Sequence, residues 1–195
     1  MSDQVFTHRY VLSVMSADHP GIVAAVSAAI AGMGGNVDAC SQTVLSGYFT
    51  LITIAGFPEP IEPKALAERL RGPASARSGL QVMVTPFAPK PAYPVGQGLE
   101  RFVVTAFGKD KPGIIRRFTE YMAGKDINII DLYGSKGGEE FMLIAQVEVP
   151  GRWSVRMIQD DLEEMGREEG FTVRFQHENV FVATNQLRFT PSRGR

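Results

Sequence analysis

The stretch ADHPGIVAAV at residues 17–26 returns as KDKPGIIRRF at residues 109–118. Both carry Asp-x-Pro-Gly-Ile, and the two prolines, Pro20 and Pro112, stand 92 residues apart. At that fixed offset the match continues without a gap. YVLSVMSADHPGIV lies beside FVVTAFGKDKPGII, Asn36 falls on Asn128, FTLI (49–52) meets FMLI (141–144), and Leu66 and Leu70 meet Ile158 and Leu162. Further on the offset drifts by one, with Gly79 answering Gly170. So long an ungapped match of pattern and punctuation identifies a duplicated domain of about 80–90 residues, enough for its own core. The Pro- and Gly-rich stretch APKPAYPVGQG (88–98) cannot hold a helix and marks the boundary. The expected organisation is a first domain at 1–88, a linker at 89–98, a second domain at 99–178 and an extension at 179–195.

Within each copy the apolar period changes in a regular order. YVLSVMSA (10–17) and FVVTAF (102–107) read as buried strands. Ile22, Val23, Val26 and Ile30 then repeat at helical spacing, as do Ile114, Ile115, Phe118 and Met122. Two strands follow, turned at Ser46-Gly47 in one copy and at Gly137-Gly138 in the other. A second helix is expected near 62–77 and near 153–168, and LQVMVTPF and FTVRFQH close the copies as strands. The order is βαββαβ. The predicted fold class is therefore α+β: two ferredoxin-like domains, each an antiparallel four-stranded sheet with two helices on one face. The other sheet face needs a cover, so the two sheets are expected to associate within the chain or across a homodimer, with Val11, Val103, Phe49 and Phe141 among the apolar residues hidden there.

The repeated loop carries a set of binding-competent parts. Pro20 and Pro112 suit a first helical turn, where a missing N–H costs nothing. Asp18 and Asp110 are expected to cap the helix through the N–H of the glycine three residues on. Gly21 and Gly113 let a small ligand approach the helix N-terminus, whose free N–H groups favour a carboxylate. Asn36 and Asn128 open the next strand with both donor and acceptor groups. Such parts can also serve only to start a helix. His19 and Lys111 differ between the copies, which makes the two loops inequivalent.

Asp-x-Pro-Gly-Ile at a strand-to-helix turn, followed by a helix and Asn-Val/Ile opening a strand, resembles the ACT domain, a regulatory ligand-binding module of amino-acid metabolism. The resemblance covers residues 8–88 and 99–177. Two such domains without an attached enzyme are similar to the glycine cleavage system transcriptional repressor family. The resemblance implies a small amino acid, glycine or serine first, as ligand, and a regulatory partner protein. Carried over by position, it selects Asp18, His19, Pro20, Gly21, Ile22 and Asn36, then Asp110, Lys111, Pro112, Gly113, Ile114 and Asn128. It also allows a ligand-free domain used only for assembly.

Other classes find little support. No Gly-x-Ser-x-Gly elbow, phosphate loop or Cys-x-x-Cys pair occurs, and His8, His19 and His177 are scattered. No catalytic residue, metal or cofactor is expected. An acylphosphatase-like hydrolase would need an arginine in the first loop, where His19 and Lys111 stand. An RNA-recognition surface would need aromatics within a basic motif, but the neighbours of Phe49 and Phe141 are aliphatic. The net charge of −1 offers no general attraction to nucleic acid or an anionic membrane. One cysteine, no apolar run of membrane-spanning length and no basic leader lead to the expectation of a cytoplasmic protein. The end of the chain, 179–195, holds Arg188, Arg193 and Arg195 without an acid and is expected to fray.

Overall fold

The computed structural model describes residues 6–72, 79–88 and 98–186. The chain divides into two compact units, Met1–Lys90 and Pro91–Arg195. The first holds β1 (His8–Ala17), α1 (Ile22–Gly32), β2 (Asn36–Leu45), β3 (Tyr48–Phe57), α2 (Pro63–Arg71) and β4 (Gln81–Pro86). The second holds β5 (Leu99–Lys109), α3 (Ile114–Gly124), β6 (Asn128–Gly137), β7 (Glu140–Pro150), α4 (Val155–Glu169), β8 (Phe171–His177) and α5 (Glu178–Gln186). The sheet orders are β2-β3-β1-β4 and β6-β7-β5-β8, and every pairing is antiparallel. This is the βαββαβ arrangement, twice.

Period-two alternation sorts the side chains of each sheet onto two faces. In the first unit, Leu12, Val14, Leu51 and Phe57 point toward the helices and meet Ile22, Val26 and Ile30 of α1 and Leu66 and Leu70 of α2. In the second, Val104, Leu143 and Val147 meet Phe118 and Met122 of α3 and Ile158 and Leu162 of α4. Phe49 and Phe141 belong to these cores, at 3% and 9% exposure. That corrects their assignment to the uncovered faces: each sits one residue out of phase with the outward positions of its strand.

Several boundaries move for local reasons. The first hairpin turns at Ser46-Gly47, both at positive φ, as its residues require. The second turns one residue later than expected, at Gly138-Glu139, because Gly137 still pairs with Glu140. The second helix of the first copy begins at Pro63, with Glu62 accepting from the Ala65 N–H at 2.8 Å, and is followed through Arg71. The predicted linker lies almost wholly outside the described residues, as do Arg188, Arg193 and Arg195 of the extension. The part of the extension that is described is helical, not frayed: α5 turns back over the outer face of the second sheet. Val103 is consequently buried there, while Val11 in the first sheet is only half-buried.

The core assignments have a direct stability consequence. Leu143→Ala, at a fully buried position, should destabilise the second unit by about 3 kcal/mol through lost burial and a cavity. Arg156→Ala on the exposed face of α4 should cost roughly 0.5 kcal/mol or less. Urea unfolding of the two variants checks both values.

Candidate functional site

Each strand-to-helix loop is built by a glycine. Gly21 (φ 98°) and Gly113 (φ 87°) occupy the N-caps of α1 and α3 in the left-handed region, and no side chain caps either helix. Their carbonyls accept from Ala25 and Arg117, starting the helical bonds. A β-carbon at either glycine would meet nothing within 4 Å. The residue is required by backbone conformation, and the space beside it is open.

The expected aspartate caps are not formed. The backbone N–H of Asp18 donates to Gly47 O, and that of Asp110 donates to Glu139 O, both at 2.8 Å. These bonds tie each loop to the neighbouring hairpin turn. The Asp110 carboxylate accepts from Lys136 Nζ at 2.7 Å. Pro20 and Pro112 precede the N-cap and so lie outside the first turn. The His19 ring lies 3.0 Å from Pro20 O, through Nδ1. Lys111 faces Glu169 at 3.8 Å. Ile22 and Ile114 direct their side chains into the cores, at 4% and 5% exposure.

Asn36 and Asn128 do open β2 and β6, but at the wrong end for a shared site. Asn36 pairs with Gly56, which faces Arg9 at the start of β1. Asp18 follows Arg9 by nine residues of extended chain, about 30 Å at ~3.3 Å per residue. The second copy repeats this, with Asn128 paired to Glu148 opposite Arg101. Asn128 Nδ2 donates to Glu148 Oε2 at 3.4 Å. Within one domain, therefore, loop and asparagine do not converge on one small ligand.

The second loop brings Pro112, Gly113 and Ile114 of the motif together with charged groups from outside it. A cavity of about 400 Å³ opens at the N-terminus of α3, lined by Pro112, Gly113, Ile114, Arg116, Arg117, Glu120 and Glu169. Arg117 pairs with Glu168 and, at 3.0 Å, with Glu169; Arg116 pairs with Glu120 at 3.4 Å. The cavity thus joins the N-terminal end of α3, guanidinium groups and carboxylates, which suits a small zwitterion. At the repeat offset, Arg116, Arg117 and Glu120 correspond to Ala24, Ala25 and Ala28. The first loop has no such charges. The signal was present in the sequence, in RRFTE set against AAVSA, but the shared motif drew attention to what the copies have in common. At the far end of α3, the Tyr121 hydroxyl donates to Asp161 at 2.9 Å, and burial, then this bond, raise the phenol well above its ordinary value. That contact fastens α3 to α4. Among the described residues no group of His, Cys, Asp and Glu is placed to hold a metal ion, and no helix is long and apolar enough to cross a membrane.

Because no β-carbon clash exists at the caps, substitution there reports backbone strain alone. Gly21→Ala and Gly113→Ala should each cost about 1–2 kcal/mol, with Asn less damaging than Ala at both positions. Equilibrium unfolding of the four variants tests this ordering.

Comparison with known proteins gives a consistent result. A family model of the ACT domain matches residues 100–176. A UPF0237 protein of Methanosarcina acetivorans is 33% identical over 82 residues, 42% of this chain and 89% of that protein. Another from Methanococcus maripaludis is 33% identical over 90 residues, 46% of this chain and all of the relative. Among solved structures, an unknown protein from Galdieria sulphuraria has a TM-score of 0.70 at 22% identity, covering 87% of this chain and 98% of its own. A protein described as a candidate glycine cleavage system transcriptional repressor has a TM-score of 0.58 at 18% identity, covering 88% and 98%. These two likenesses concern the fold.

Proposed function

The chain belongs to the ACT domain family, and from that premise we propose that it is a non-enzymatic regulator of amino-acid metabolism that binds a small amino acid at the loop of its second domain and signals to a partner protein. ACT domains are typical of small-ligand-binding regulatory proteins. The observation that carries the reading is the charged cavity at Gly113. The ligand carboxylate would take the N-terminal end of α3 and the Arg116 guanidinium, and the ammonium would take Glu120 or Glu169. Glycine and serine are the first ligands to test, since the cavity's lining is more polar than apolar and the repressor-like neighbour is named for glycine cleavage. Asp110 and Lys111 shape the loop, whereas Asn36 and Asn128 are left out of the proposed site. The first loop, with His19 and three alanines, is proposed to serve assembly. The exposed Ile52 and Met83 on the outer face of its sheet, at 56% and 64%, give it an apolar surface that a homodimer would cover.

Thermal unfolding with each of the twenty amino acids tests this. A ligand at 100 times its Kd should stabilise the fold by about 2.7 kcal/mol, and a shift of roughly 2–4 °C per kcal/mol gives a Tm rise of about 5–10 °C. Arg116→Ala and Glu120→Gln should remove the rise while moving the ligand-free Tm little, since both side chains are largely solvent-exposed. If no amino acid moves Tm, the ligand-free assembly reading replaces this one, supported by the same exposed face.

A further inference from the structure

The outer faces of the two sheets meet different fates at matching positions. In the second sheet α5 lies on one end of the face, where Phe181 and Val182 line one groove with Val103 and Ile144. Phe107 and Met142, at the other end, stay exposed. Val11 and Ile52, the repeat partners of Val103 and Ile144, have no helix over them among the described residues.

Charge divides the faces in the same sense. Asp131, Gln146 and Arg174 point outward from the second sheet. Strand pairing gives their places in the first sheet to Ala39, Ile54 and Met83. Ser41, Ile52, Ser13 and Met83 form the row across the middle of that first face. The outward positions from Val11 to Met15, Ala39 to Thr43, Thr50 to Ile54 and Gln81 to Thr85 carry no charge. Arg9 and Asp38, at one end, neutralise each other at 3.0 Å.

Such a face has no charges with which to select an ionic partner. It does complement itself across a twofold axis, where the same patch serves both copies. Its extent is sufficient. The strands have 10, 10, 10 and 6 residues, and at about 3.3 Å per residue and about 4.8 Å between strands they span about 600 Å². Two such faces together hide about 1,200 Å², where stable interfaces begin. Stacked sheets lie about 10 Å apart, and a helix about 10 Å across resting on one of them fills that gap.

We infer that two copies of this chain pair through the outer face of the first sheet, Ile52 near its own copy across a twofold axis, and that α5 keeps the second sheet out of the interface. The inference rests on the assembly role proposed for the first domain and needs no amino-acid ligand. The mass of the ligand-free chain therefore tests it apart from the thermal shift.

Light scattering after size exclusion, on the full chain at micromolar concentration without amino acids, should give twice the 21.3 kDa chain mass. Ile52→Lys and Ile52→Glu should each give the mass of one chain with unchanged far-UV circular dichroism, since the side chain is exposed in the single chain. Met83→Lys, in the same row, serves should either variant fail to fold. An equimolar mixture of Ile52→Lys and Ile52→Glu should recover the doubled mass, and Phe107→Lys on the second sheet should keep it. A monomeric wild type, a folded Ile52→Lys or Met83→Lys variant that stays dimeric, a mixture that stays monomeric, or a monomeric Phe107→Lys would each overturn the inference.

Discussion

Burial of one face of each four-stranded sheet beneath two helices is the constraint from which the remaining features follow. Side chains alternate along a strand, so once Leu12 and Val14, or Leu143 and Ala145, are committed to the helix side, every intervening residue must face outward. That parity places Phe49 and Phe141 in the cores and turns Ile52 and Ile144 away from them. It also forces the connection from β1 to α1 to reverse the chain at the sheet's end, where a left-handed residue is needed. Gly21 and Gly113 meet that need.

The duplication preserved this framework and let the surfaces diverge. Both loops keep Asp-x-Pro-Gly: the positive φ accounts for the glycine, and the main-chain bond from the aspartate N–H to the hairpin turn recurs in both copies. The helix that follows each loop did not keep its outer face: three alanines in α1 stand where α3 has two arginines and a glutamate. The outer sheet faces diverged as well. Sheet one is rich in exposed aliphatic side chains, and sheet two holds Asp131, Gln146 and Tyr133 beneath α5. Two units with one architecture therefore present different chemistry on their surfaces.

What the sequence by itself determined is the repeat, the βαββαβ order and the helical faces, whereas the sheet face taken by Phe49 and Phe141 was not read correctly from it. These depend on local period and on turn residues such as Ser46-Gly47, which act over a few neighbours. The loop glycines were legible too, and the left-handed backbone conformation at both supplies a physical reason for them. Tertiary structure alone decided which residues meet. Asn36 lies only fifteen positions beyond Gly21 in the chain, yet α1 carries the chain back along the sheet before β2 starts, and antiparallel pairing with β3 sets the two at opposite ends. Conversely, Glu169 lies far from Gly113 in sequence and lines the same cavity, because α4 ends beside the start of α3. The return of α5 over the second sheet was hidden for a similar reason. A short segment with weak periodicity becomes a stable helix only when an apolar surface, here Val103 and Ile144, is present to receive it.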